Sequence, residues 1–146
     1  MDASQVQYVA RAGNYVRHGF SYHGALRILK VIMGYDYLWI NVRVKGGAYG
    51  CMNSYMRNGD TYFVSYRDPN LKKTDEIYDG IPQYLADFKA DEREMTKYII
   101  GTISDMDTPM NPSAKGARSM TAYLQGLDFA AVSYTHLRAH ETGRNL

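Results

Sequence analysis

The chain has 146 residues, 45% hydrophobic and 22% charged, with a net charge of +2. That suits one globular domain with an ordinary core, and is too little positive charge to point to nucleic acid or an anionic membrane as partner. A single cysteine, Cys51, excludes an intramolecular disulfide framework and fits a reducing compartment, and no apolar run approaches the roughly 20 residues of a membrane span.

The opening Met1-Asp2-Ala3-Ser4-Gln5 has neither the basic nor the apolar region of a signal peptide. It leads directly into strand-like sequence, which suggests that the natural polypeptide begins upstream. Val6, Tyr8 and Ala10 alternate with Gln5, Gln7, Val9 and Arg11 and predict a strand over 5–11. Gly13-Asn14 and His18-Gly19 read as a turn or loop. Apolar residues at 22, 25, 26, 29, 32 and 33 predict a helix over 22–33, with Ser21 as its N-cap. Gly34 is expected to break it before a second segment over 35–42, anchored in the core by Leu38 and Trp39. The segments 51–56 and 61–66 predict a hairpin, because Asn58-Gly59 carries the signal of a tight primed turn. Pro69 ends its second strand. Ile77, Tyr78, Ile81, Leu85 and Phe88 form one helical stripe, interrupted by Pro82, so a break is expected near Gly80-Ile81. A helix starting near Asp91 turns Met95, Tyr98, Ile99, Thr102 and Ile103 inward, and a last helix covers about 113–124. The order strand, helices, two strands, helices predicts an α+β fold, a mostly antiparallel sheet covered by helices. Three strands leave two open edges, so sheet partners are expected to be missing.

Asn41 to Gly50 holds the densest chemistry. Gly46 and Gly47 loosen the backbone and permit close approach of another chain. Arg43 is a permanent cation with a planar donor fork, and Tyr49 carries a phenol able to donate to a developing oxyanion. Together they suit a grip on a carbonyl or carboxylate. The same residues also fit a helix C-terminus with a glycine stop and a tyrosine in the core.

Near the end of the chain, His136 and His140 stand four apart with Glu141 beside them, a spacing that two zinc-ligating histidines on one helix could use. A site there would need a third ligand and a general base at a fixed place, and the tail offers neither. Residues 132–142 resemble the translation of a sequencing-library adapter, so 132–146 are set apart from the domain at 1–131. His18 and His23 are expected on the surface or in loops.

Four segments in order carry a family resemblance: Gln7 to Asn14, Gly34 to Trp39, Arg43 to Gly50, and Phe63 to Asn70, with Thr96 to Ser104 in agreement. Together they resemble the C-terminal half of the pitrilysin/insulinase family of zinc metallopeptidases. The resemblance implies a partial domain of that fold and a two-halved chamber that degrades short unfolded peptides. Zinc would belong to the full-length enzyme, bound by H-x-x-E-H in the N-terminal half. That motif is absent from this chain, so no metal is expected here and no activity from this chain alone. Arg43 would match the family arginine that anchors a substrate carbonyl or carboxylate, and Tyr49 the tyrosine that supports the oxyanion. Gly46 and Gly47 would let the peptide approach. The implied partners are a peptide substrate and the N-terminal half of the peptidase. The implied location is the cytoplasm of a bacterium, or an organelle matrix in a eukaryote. Inactive paralogues of the fold hold partners, so a non-catalytic structural or interaction subunit is the alternative. A single-stranded nucleic-acid binder, suggested by Lys45-Gly46-Gly47 and 14 tyrosines, is disfavoured by the scattered basic residues.

Overall fold

The structure, a computed structural model, describes residues 5–127. The expectations for 132–146, including His136 and His140, lie outside the described residues. The chain divides into two compact units, Met1–Lys89 and Ala90–Leu146.

The first unit is built on a three-stranded antiparallel sheet in the order β1-β3-β2, with β1 at Gln7–Asn14, β2 at Gly50–Tyr55 and β3 at Asp60–Asp68. The β2–β3 hairpin turns at the Asn-Gly pair as the sequence predicts. Asn58 Oδ1 accepts from the Asp60 N–H at 3.1 Å, and Gly59 sits at φ +94°, which glycine adopts without a Cβ penalty. β1 runs further than expected. Gly13 and Asn14 pair with Thr61 and Asp60 and lengthen the strand instead of ending it.

The inner face of β1 is the reverse of what its apolar residues suggest. Val9 is buried, whereas Tyr8 is 75% exposed. Val9 is paired with Ser65, and Ser65 in turn with Cys51, so these three share one face. A shift in register between Gln7 and Val9 offsets the strand start. Tyr8 instead stacks on Tyr66.

Helix α1 spans Ala25–Ile32 and starts later than predicted. Gly24, not Ser21, is its N-cap, and the His23 Nδ1 accepts from the Ala25 N–H at 3.2 Å. Gly34 breaks nothing. The chain continues into a π-helical segment, Met33–Val44, whose wider i→i+5 ladder changes which residues face inward. Met33, Leu38 and Val42, spaced five and four apart, are fully buried. Trp39, expected in the core with Leu38, is 43% exposed.

Helices α2 (Leu71–Asp79) and α3 (Ile81–Asp87) meet at Gly80, with Pro82 in the first turn of α3, where a missing N–H costs nothing. Tyr37 fills the space that a Cβ on Gly80 would need, and its phenol donates to the Ile77 carbonyl at 2.8 Å. The core joins Val9, Met33, Leu38, Val42, Ala48, Tyr78 and Ile81, so sheet, π-helix and α2–α3 bury one common apolar volume. The Arg11 guanidinium clamps α2 to β1 through Asp75 at 2.7 Å and Asp79.

In the second unit, α4 spans Glu92–Met106 and α5 spans Pro112–Leu124. Asp91 and Glu94 form a reciprocal capping box that fixes the start of α4. The Asn111 side chain caps α5. Along α4, Met95, Tyr98, Ile99, Thr102 and Ile103 form the less exposed face, as their spacing predicts. Among the described residues no helix is long and apolar enough to cross a membrane.

Candidate functional site

The π-helix ends where Arg43, Gly46, Gly47 and Tyr49 lie. Its last carbonyls are closed by two hydrogen bonds, Gly47 N–H to Arg43 O at 2.9 Å and Ala48 N–H to Val42 O at 3.2 Å. The paired closure is that of a Schellman stop, widened by the larger turn. Gly47 holds φ +81° to allow it. A Cβ on Gly46 would run into the Val42 carbonyl oxygen. Both glycines therefore have a local reason to be glycine, and only Gly47 is exposed.

This stop turns the chain so that Arg43 and the start of β2 come together. Arg43 Nε donates to the Tyr49 carbonyl at 3.0 Å, and the guanidinium lies 4.2 Å above the Trp39 ring. Residues 39 and 43 are one turn apart, which explains why an exposed tryptophan sits there: it is the plate on which the arginine rests. Neither Nη group of Arg43 takes part in a salt bridge or side-chain hydrogen bond to another described residue.

Tyr49 is 61% exposed, so it is not the core tyrosine that a simple helix stop would allow. Its ring packs edge-on against Tyr66 at 5.5 Å between centroids. Gly50 makes that possible, because a Cβ there would collide with the Tyr66 ring. The Arg67 guanidinium carbon lies 5.5 Å from the Tyr49 ring centroid, and the Arg67 carbonyl accepts from the Tyr49 N–H at 3.3 Å.

Arg67 is the only non-glycine residue at positive φ among the described residues, at +48°, a conformation that costs an L-residue about 1–2 kcal/mol. The next residue explains how it is held. Asp68 is fully buried and its carboxylate accepts from the Ser65 hydroxyl at 2.5 Å, the Thr74 hydroxyl at 2.7 Å and the Asn70 N–H at 2.8 Å. The Asn70 side chain then donates to the Gly46 carbonyl. The β3–α2 turn and the glycine stop are thus tied into one piece, with Arg43 and Tyr49 on it.

The sequence assigns no site role to Arg67, Asp68 or Asn70: Arg67-Asp68-Pro69-Asn70 reads as the end of a strand, within a segment that carries the family resemblance. The Asp-Pro-Asn turn chemistry was the available signal, but it does not reveal that the Asn70 amide reaches residue 46.

Behind the site, the Cys51 thiol is pushed up to about 11 by burial, opposed by the nearby Arg43 cation and reinforced by Asp68. Among the described residues no group of three or more His, Cys, Asp or Glu side chains is placed to hold a metal ion. The donor set of these residues does not fit the zinc that the family resemblance implies for the whole enzyme. Hydrogen-bond donors and the two guanidinium cations of Arg43 and Arg67 are what this surface presents.

Comparison with known proteins gives a consistent picture. The family model described as the PreP C-terminal domain matches residues 3–139. Protein HypA of Clostridium perfringens is 57% identical over 124 residues, 85% of this chain and 13% of that protein. Presequence protease 1, chloroplastic/mitochondrial, of Arabidopsis thaliana is 40% identical over 125 residues, 85% of this chain and 12% of that protein. The mitochondrial presequence protease of Mus musculus is 30% identical over 122 residues, 84% of this chain and 12% of that protein. The chain thus spans only about one eighth of the length of these relatives. With a match over nearly its whole length and an α+β arrangement of the expected kind, the chain belongs to the family of the PreP C-terminal domain, a part of presequence peptidases.

Proposed function

We propose that this chain is the substrate-binding C-terminal segment of a zinc metalloendopeptidase that degrades short unfolded peptides. The observation that carries the reading is the juxtaposition of Arg43 and Tyr49. One hydrogen bond ties the arginine to the tyrosine backbone at 3.0 Å, while the phenol stays exposed. Arg43, seated on Trp39, presents its Nη fork to a peptide carbonyl or a terminal carboxylate. Tyr49 donates its phenolic hydrogen to the scissile carbonyl as that oxygen gains negative charge. Gly47 offers exposed backbone beside them, and Gly46 seals the helix end that aims both side chains. Zinc and its activated water belong to the preceding half of the polypeptide, which is also the partner this segment closes against. One relative named above comes from a bacterium and another is named chloroplastic/mitochondrial, and a bacterial cytoplasm or an organelle matrix suits a chain whose one cysteine is a half-buried free thiol.

The test is hydrolysis of a quenched peptide by a polypeptide joining this segment to a half that bears H-x-x-E-H. The joined protein cleaves and the half alone does not. Tyr49→Phe lowers kcat about 100-fold, the scale for loss of one oxyanion donor. Arg43→Ala raises KM about tenfold, as for loss of a charge-assisted contact. Full activity without this segment, or with both substitutions in place, would leave a non-catalytic structural subunit as the reading.

A further inference from the structure

We propose that Arg67 is a positioning residue for Tyr49, aiming the phenol by holding both its ring and its backbone. The inference rests on the reading of Tyr49 as an oxyanion donor. Three separate features, one of the side chain and two of the backbone, meet at the exposed Arg67. Its guanidinium stands over the Tyr49 ring at 5.5 Å. Its carbonyl takes the Tyr49 N–H at 3.3 Å. Its own φ of +48° is an unfavoured conformation for arginine, in a turn where glycine or asparagine would sit without strain.

That third feature is the informative one. A turn that served only to join β3 to α2 has no need of a β-carbon at this position. A cation on the face of a phenol ring is favourable only when the two are held in register. The register is fixed from below by Asp68, whose carboxylate takes the Ser65, Thr74 and Asn70 donors, and by the Asn70 amide on the Gly46 carbonyl. The Tyr66 ring also meets the Tyr49 ring edge-on, at 5.5 Å between centroids. The phenol is thereby confined by two contacts to its ring and one to its N–H. Donors that are already oriented need no rearrangement as charge develops on the substrate.

The experiment uses the full-length polypeptide containing this segment, with 3-fluorotyrosine at position 49. Arg67→Ala moves and broadens the fluorine resonance, and Arg67→Lys, which keeps a cation, moves it less. Arg67→Gly behaves as Arg67→Ala while relieving the backbone, which separates the guanidinium from the turn geometry. In kinetics Arg67→Ala lowers kcat about tenfold with KM little changed, the loss expected for misaiming a donor rather than deleting it. In a Tyr49→Phe background the same change costs less than about twofold, because there is no phenol left to aim. An unmoved fluorine line, or an equal loss in both backgrounds, overturns the proposal. If Tyr49→Phe itself leaves kcat unchanged, the oxyanion reading is what fails, and the fluorine line alone decides whether Arg67 orients the ring.

Discussion

Cys51 and Asp68 sit beneath the candidate site and answer to opposite physics. The thiol has no strong partner, so burial favours its neutral form and lifts it from 9.0 to about 11. The sign follows directly. Between those two values the unfolded chain has lost the Cys51 proton while the folded chain keeps it. Cys51 therefore contributes stability that is complete below pH 9 and is lost as pH rises toward 11. Cys51→Ala is expected to flatten that part of a urea-midpoint profile against pH. Native Cys51 should also react with a maleimide at pH 8 about 100-fold more slowly than the unfolded chain, in line with its smaller thiolate fraction. Asp68 is buried with its carboxylate fully hydrogen-bonded. Asp68→Ala strips the acceptor from two hydroxyls and one amide at once. The expected loss is about 3 kcal/mol, seen as a lower urea midpoint at unchanged slope. The sequence marked Arg43 and Tyr49 as a pair, because an arginine and a tyrosine about two glycines are legible in one line of text. It could not mark Asp68 or Asn70, whose partners are set by how the turn folds back onto Gly46.

The π-helix is the element on which sequence and structure part company most. Residues 33–44 carry apolar or aromatic side chains at most positions, so a period of 3.6 could be laid on them in several ways. The wider ladder decides the matter by placing Met33, Leu38 and Val42 inward and Trp39 outward. Two substitutions separate these roles. Leu38→Ala removes a fully buried side chain from the centre of the core and is expected to cost about 3–4 kcal/mol. Trp39→Ala is expected to cost under about 1 kcal/mol of stability, yet to raise KM in the joined peptidase because Arg43 loses its support. Equal destabilisation by the two in a urea titration would contradict this division. The hairpin and the α2–α3 break, by contrast, were legible. Asn58-Gly59 and Gly80-Ile81-Pro82 restrict the backbone locally, whatever packs around them.

At the scale of the molecule, β3 is the only strand flanked on both sides, and β1 and β2 are edges among the described residues. Tyr8, Tyr49 and Met52 are exposed on this first unit. Unpaired edges and exposed aromatics favour association with further chain. The isolated segment 1–131 is therefore expected to be marginally stable, with a broad melt that depends on protein concentration. A sharp, concentration-independent melt of a soluble monomer would refute that.

The sequence by itself determined the α+β class, the hairpin and the helix boundaries after residue 70, and it set Arg43 and Tyr49 six positions apart about two glycines, since each of these rests on residues close together in the chain. Which face of β1 is buried, the outward turn of Trp39, and the web from Asp68 through Asn70 to Gly46 were decided only in the tertiary structure. Those features depend on strand register, on a helical period the side chains left ambiguous, and on contacts between residues more than twenty apart, where local propensity carries no information.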